Sequence, residues 1–168
     1  FAAQSAAVLM NALRRQRDAY GLTLFDDKVR FSSTAKSSTV HYRMLLSHLI
    51  ERIENPQLNH GTDLAASLHQ VAESIHRRSL VVIFTDVMEQ PDKADELFSA
   101  LQHLRYAKHE VILFHVTDKK KELDFEFENR PYIFVDMENG EEVKLQPNQV
   151  KEYYIKQVTD FTEQLRMK

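Results

Sequence analysis

Leu80-Val81-Val82-Ile83-Phe84-Thr85-Asp86 is the stretch on which the reading of this chain turns. Five apolar residues, rich in β-branched side chains, run without alternation and stop abruptly at a hydroxyl and a carboxylate. Such a run is the pattern of a strand buried on both faces in a parallel sheet, where helices cover each side. Val111 to Val116 repeats the pattern downstream. Between the two, Leu97, Leu101 and Leu104 recur at helical spacing, and Pro91 suits the first turn of a helix reaching about Ala107. Upstream, Asp63 to Ile75 carries Leu64, Leu68, Val71 and Ile75 on one helical face. Strands alternating with amphipathic helices predict a doubly wound α/β domain with right-handed crossovers.

The periphery follows from local pattern. Ala2 to Gln16 is a run of good helix formers with a stripe through Ala6, Leu9, Met10 and Leu13, and with Arg14, Arg15 and Arg17 at its end, where cations oppose the helix dipole. Ala19 to Phe25 and Lys28 to Phe31 read as short strands about an Asp26-Asp27 turn. Val40 to Ile53 places Leu45, Leu46, Leu49, Ile50 and Ile53 at helical spacing and stops at Asn55-Pro56. From Lys119 the character changes. Lys119 to Glu128 alternates Phe125 and Phe127 with acids, as an edge strand would, and Tyr132 to Val135 and Glu142 to Leu145 flank the hairpin signal Asn139-Gly140. Gln149 to Leu165 then carries Val150, Tyr153, Tyr154, Val158, Phe161 and Leu165 on one helical side. The organisation expected is an α/β core over 1–118 and an extension over 119–168, hairpin plus aromatic helix, packed on the same domain.

Composition narrows the function classes. The 168 residues include no cysteine, so thiolate catalysis, zinc-thiolate sites and disulfides are all excluded, and a reducing, cytoplasmic setting is expected. No apolar run approaches the roughly 20 residues that span a bilayer. The formal net charge of −3, with both signs mixed, provides no basic stripe for a phosphate backbone, and Lys119-Lys120-Lys121 is a short run beside acids. Only three glycines occur, and none forms a phosphate-binding loop. Neither nucleic acid, membrane nor nucleotide is therefore an expected ligand. The pairs His41 with His48 and His69 with His76 lie about two helical turns apart, wider than a zinc site usually needs, and are expected to face solvent.

In open parallel sheets ligands gather beyond the carboxyl ends of the strands. Asp86 stands at such an end, and Thr62 opens the helix beginning at Asp63 from a loop expected on the same edge. Taken singly, each has an ordinary explanation: Thr62 or Asp63 as a helix cap, Asp86 as a turn residue. Three segments together resemble the von Willebrand factor A fold: Gln16-Arg17-Asp18-Ala19-Tyr20-Gly21-Leu22-Thr23-Leu24-Phe25 its second strand, Gly61-Thr62-Asp63-Leu64-Ala65-Ala66-Ser67-Leu68 its threonine loop, and Phe84-Thr85-Asp86 its distal aspartate loop. The order and spacing of these segments, with the hairpin and aromatic helix, are most similar to the bacterial family called domain of unknown function 58, whose members often accompany MoxR-type AAA+ ATPases.

That resemblance implies a protein-binding module, not an enzyme. It implies Mg²⁺ or Mn²⁺ held at the sheet edge by an Asp-x-Ser-x-Ser loop, a threonine and an aspartate, with one position left for a partner's carboxylate. Thr62 and Asp86 match the latter two. The Asp-x-Ser-x-Ser loop and the strand before it are missing from these residues, so the chain reads as an N-terminally truncated domain whose metal site is incomplete and binds little or no ion by itself. The strand near Leu22-Phe25 is then expected either to pair directly with Leu80-Phe84 or to leave an edge for a second copy, as a homodimer. Two other readings stay open: metal-independent docking through the C-terminal extension, and a receiver-like or phosphoryl-transfer domain using Asp86, for which neither an acidic pair near the missing first strand nor an Asp-x-Asp after a strand is visible.

Overall fold

The computed structural model describes residues 1–55, 63–86, 94–135 and 140–167. They form a mixed α/β protein in two compact units, one within residues 1–116 and one within 117–167. Pro56, Gly61, Pro91 and Asn139, on which several stops and turns were read, lie outside the described residues.

In the first unit, helix α1 (Ala2–Gln16) is followed by the antiparallel pair β1 (Thr23–Phe25) and β2 (Val29–Ser32) and by α2 (Thr39–Glu54). Met10 of α1, Tyr20, and Leu45 and Leu49 of α2 form a buried cluster, with Leu13, Leu24 and Phe31 packed against it. β1 is shorter than the alternation of Ala19 to Phe25 implied, because Tyr20 leaves the strand to bridge Lys36 through two main-chain hydrogen bonds of 3.2 and 3.1 Å. Gly21 allows this crossing. A Cβ there would stand 2.7 Å from the Ser33 carbonyl oxygen. The helical stripe read for α2 is narrower in the fold, since Ile50 and Ile53 are exposed.

Helix α3 (Leu64–Ser74) packs against α4 (Ala94–Tyr106), and β3 (Leu80–Thr85) pairs in parallel with β4 (Glu110–His115), from Leu80 opposite Glu110 to Thr85 opposite His115. Leu64, Ser67 and Leu68 of α3 and Leu97, Ala100 and Leu104 of α4 are fully buried. Burial of β3 and β4 on both faces does not hold. Ile83 is 4% exposed, but Leu80 is 56%, Ile112 44% and Phe114 47% exposed. The face holding Val81, Ile83, Val111 and Leu113 is the better covered, while Val82, Phe84, Ile112 and Phe114 alternate onto the other. A continuous apolar run states that both faces can be buried, and what lies on each face is decided by the rest of the chain. Direct pairing of β1 with β3 is likewise absent among the described residues, where β1 pairs with β2 and β3 with β4.

The second unit corrects another expectation. Lys119 to Glu128 is not an edge strand: Lys119–Leu123 forms one π-helical turn, capped by the Asp118 carboxylate, which accepts the Lys120 and Lys121 N–H groups. Phe125, at φ 47°, breaks any extended path and is buried. Its ring meets Phe127, Phe134 and Tyr154 at centroid separations of 4.9, 6.2 and 4.4 Å, so the alternating phenylalanines fill a small aromatic core. β5 (Tyr132–Val135) and β6 (Glu142–Leu145) form the expected antiparallel pair. Helix α5 (Pro147–Met167) follows, with Tyr154 turned inward and Tyr153, read onto the same side, 70% exposed. The side chain of Leu165 lies outside the described residues.

Candidate functional site at the end of the parallel strand pair

Asp86 directly follows β3, and its side chain is exposed beyond the carboxyl end of the parallel pair. The register places His115 opposite Thr85. Val116 N–H donates to the Thr85 carbonyl at 2.8 Å, and His115 Nε2–H donates to the Asp86 main-chain carbonyl at 2.9 Å. The imidazole thus fixes the peptide that carries Asp86 and leaves the carboxylate facing outward. His115 was not singled out by sequence. The only signal for it was its place as the last polar residue of the Val111 to Val116 run.

Thr62 lies outside the described residues. Its neighbour Asp63 caps α3, accepting Ala66 N–H at 2.9 Å, and Asp63 N–H donates to the Asp26 carbonyl at 3.2 Å. The start of α3 is therefore tied to the β1–β2 turn. There Arg30 Nε donates to both Asp26 carboxylate oxygens, at 2.6 and 2.8 Å, and its guanidinium also reaches Asp27.

The family profile described as Protein of unknown function DUF58 matches residues 1–164. The chain belongs to the DUF58 family. No curated protein and no solved structure matches it. In this DUF58 chain the donor set implied for Mg²⁺ or Mn²⁺ does not fit a complete site. Only one carboxylate, Asp86, and one hydroxyl, Thr62, fall on the motif, no Asp-x-Ser-x-Ser occurs in the 168 residues, and no group of three or more His, Cys, Asp or Glu side chains converges among the described residues. No helix among the described residues is long and apolar enough to cross a membrane.

The histidines of this DUF58 chain depart from the solvent-facing expectation. His41 is buried and donates from Nε2 to the Tyr20 carbonyl at 3.1 Å, and His48 lies over Phe31 at a centroid distance of 3.9 Å. His69 pairs not with His76 but with His103 of α4, Nδ1 to Nδ1 at 2.9 Å. Only His76 of the four is freely exposed. A spacing argument within one helix could not find a pair separated by 34 positions.

Proposed function

We propose that this DUF58 chain is a non-enzymatic protein-binding module on a doubly wound, von Willebrand factor A-like core, and that it serves as adaptor to a MoxR-type AAA+ ATPase. The observation that carries this reading is the position of Asp86: an exposed carboxylate at the carboxyl end of a parallel pair, on a peptide held by His115. Open α/β sheets present their binding groups at that end. A fixed, outward carboxylate suits recognition of another surface.

The test is recovery of a purified MoxR-type ATPase by the tagged chain, compared between wild type and the Thr62→Ala and Asp86→Ala variants. Retention by wild type and loss in the variants supports contact through this edge. Equal recovery removes Asp86 from the interface, and no recovery by wild type removes the ATPase as partner. A second reading, docking through the extension without metal, draws on Ile133, Val135 and Val143, which are 55%, 50% and 54% exposed on the β5–β6 hairpin. Under that reading Ile133→Ser with Val135→Ser would abolish recovery while Asp86→Ala would not.

A further inference from the structure

His69 sits on α3 between buried Leu68 and Val71, and His103 sits on α4 beside buried Leu104. Packing the apolar rows of the two helices together brings the flanking imidazoles into register. Their Nδ1 atoms meet at 2.9 Å, with ring centroids 5.2 Å apart and planes inclined by 44°. At that separation the two nitrogens share one hydrogen: one ring is the Nδ1–H donor and the other offers its lone pair.

We propose that His69 and His103 form a binding site for a divalent late-transition ion, with Ni²⁺ or Cu²⁺ replacing the shared hydrogen. Metal–imidazole bonds are about 2.0–2.1 Å, so two nitrogens bound at right angles to each other lie about 2.9 Å apart. The helices already hold the two nitrogens at this span. Binding requires each imidazole to turn so that its lone pair leaves the line joining the nitrogens and both lone pairs converge on the ion. Both rings are partly exposed and border an open depression of about 570 Å³, which gives an ion and its waters access. Ser99, Gln102 and Tyr106 line the same depression, and Ser99 and Tyr106, four residues before and three after His103, share its helical face, so α4 presents oxygen donors beside the imidazole. Two neutral imidazoles favour late-transition ions over Mg²⁺, which prefers hard oxygen donors. The inference stands independently of Asp86 and of the ATPase reading.

The test uses the 168-residue chain, free of any histidine tag and treated with chelator, titrated with Ni²⁺ by calorimetry and by NMR of the imidazole C–H signals. One ion is expected per chain, with the His69 and His103 signals broadened first by the paramagnetic ion. Affinity should fall from Cu²⁺ to Ni²⁺ to Co²⁺, and excess Mg²⁺ should not compete. His69→Ala and His103→Ala should each weaken Ni²⁺ by at least about tenfold, the loss that removing even an outer-shell partner produces. His76→Ala, on an exposed neighbour, should leave affinity unchanged. Absence of Ni²⁺ binding, first broadening at other histidines, or equal affinity in folded His69→Ala and His103→Ala would each overturn the proposal. The broadening pattern of wild type decides the matter even if a variant does not fold.

Discussion

Asp26 joins three parts of the first unit through one residue. Its carboxylate accepts Arg30 Nε and Lys28 N–H, and its carbonyl accepts the N–H of Asp63 at the start of α3. Burial pushes the Asp26 carboxyl up, but hydrogen bonding with Asp27, Arg30 and the Lys28 N–H outweighs it and lowers the group from 3.8 to about 2. The sign of the pH effect follows. A carboxyl with a lower value in the folded protein binds protons more readily in the unfolded chain, so its stabilisation is complete above the ordinary value and is lost as pH falls toward 2. With the side chain 24% exposed, solvent screening leaves a contribution of about 1 kcal/mol. Asp26→Asn should therefore cost about that much at neutral pH and flatten the stability curve between pH 4 and 2 in urea titrations, roughly the window between the two values. An unchanged acid limb in the variant would show that the ion pair contributes nothing. The sequence announced a turn at Asp26-Asp27, but the pairing with Arg30 was not read from it, and the link to Asp63 depends on the chain's return and has no local signal.

Helix ends carry the element-scale consequences. Asp63 caps α3 with its carboxylate on Ala66 N–H, a bond whose loss typically costs about 1 kcal/mol. Asp63→Ala should lower stability by about that amount in chemical denaturation, while Asp63→Asn, which keeps the acceptor, should nearly restore it. At the opposite ends, α1 and α4 close on left-handed residues that are not glycine: Arg17 at φ 63° and Lys108 at φ 65°. After α4, Lys108 N–H reaches the Arg105 carbonyl and His109 N–H the Leu104 carbonyl, so the closing turn is fully bonded despite the strained residue. Lys108→Gly should stabilise the protein by about 0.5–1 kcal/mol, the left-handed penalty relieved less the added entropy of glycine in the unfolded chain. A lower melting temperature for Lys108→Gly would mean that the lysine side chain packs in a way that outweighs its backbone strain. Both caps show how far sequence reaches. Asp63 was readable as a cap because an acid preceding an apolar helical face is a start signal, whereas Lys108 was not, because the usual stop signal is a glycine and only three occur in the chain. The same holds for Phe125 and Phe127, whose alternation spelled a strand while their rings were needed in one aromatic core.

At the scale of the whole molecule, the order of helices and strands was legible because each element carries its own period, but the neighbours of each strand were not. Leu80 to Phe84 reads as a strand covered on both sides, yet Phe84 stacks on Phe114 on the more open face of a pair, at 5.0 Å between centroids. Coverage belongs to the assembly of elements and leaves no trace in a five-residue run. The same distinction governs the metal question. Asp86 is where a sheet-edge ligand should stand, but Mg²⁺ requires near-octahedral oxygen coordination and gives up its waters reluctantly, so a single carboxylate with one hydroxyl offers too little charge to displace them. Calorimetric titration of the 168-residue chain with Mg²⁺ should accordingly show no tight stoichiometric binding, and Asp86→Ala should not alter the trace. Tight binding of one ion, abolished by Asp86→Ala, would mean that other residues of this chain converge on Asp86 and complete its shell. Titrated with Ni²⁺ under the same conditions, the chain should respond through His69 and His103 regardless of Asp86. Mg²⁺ and Ni²⁺ thereby probe two different parts of the first unit, and a response to Mg²⁺ that survives Asp86→Ala would place the oxygen ligands elsewhere.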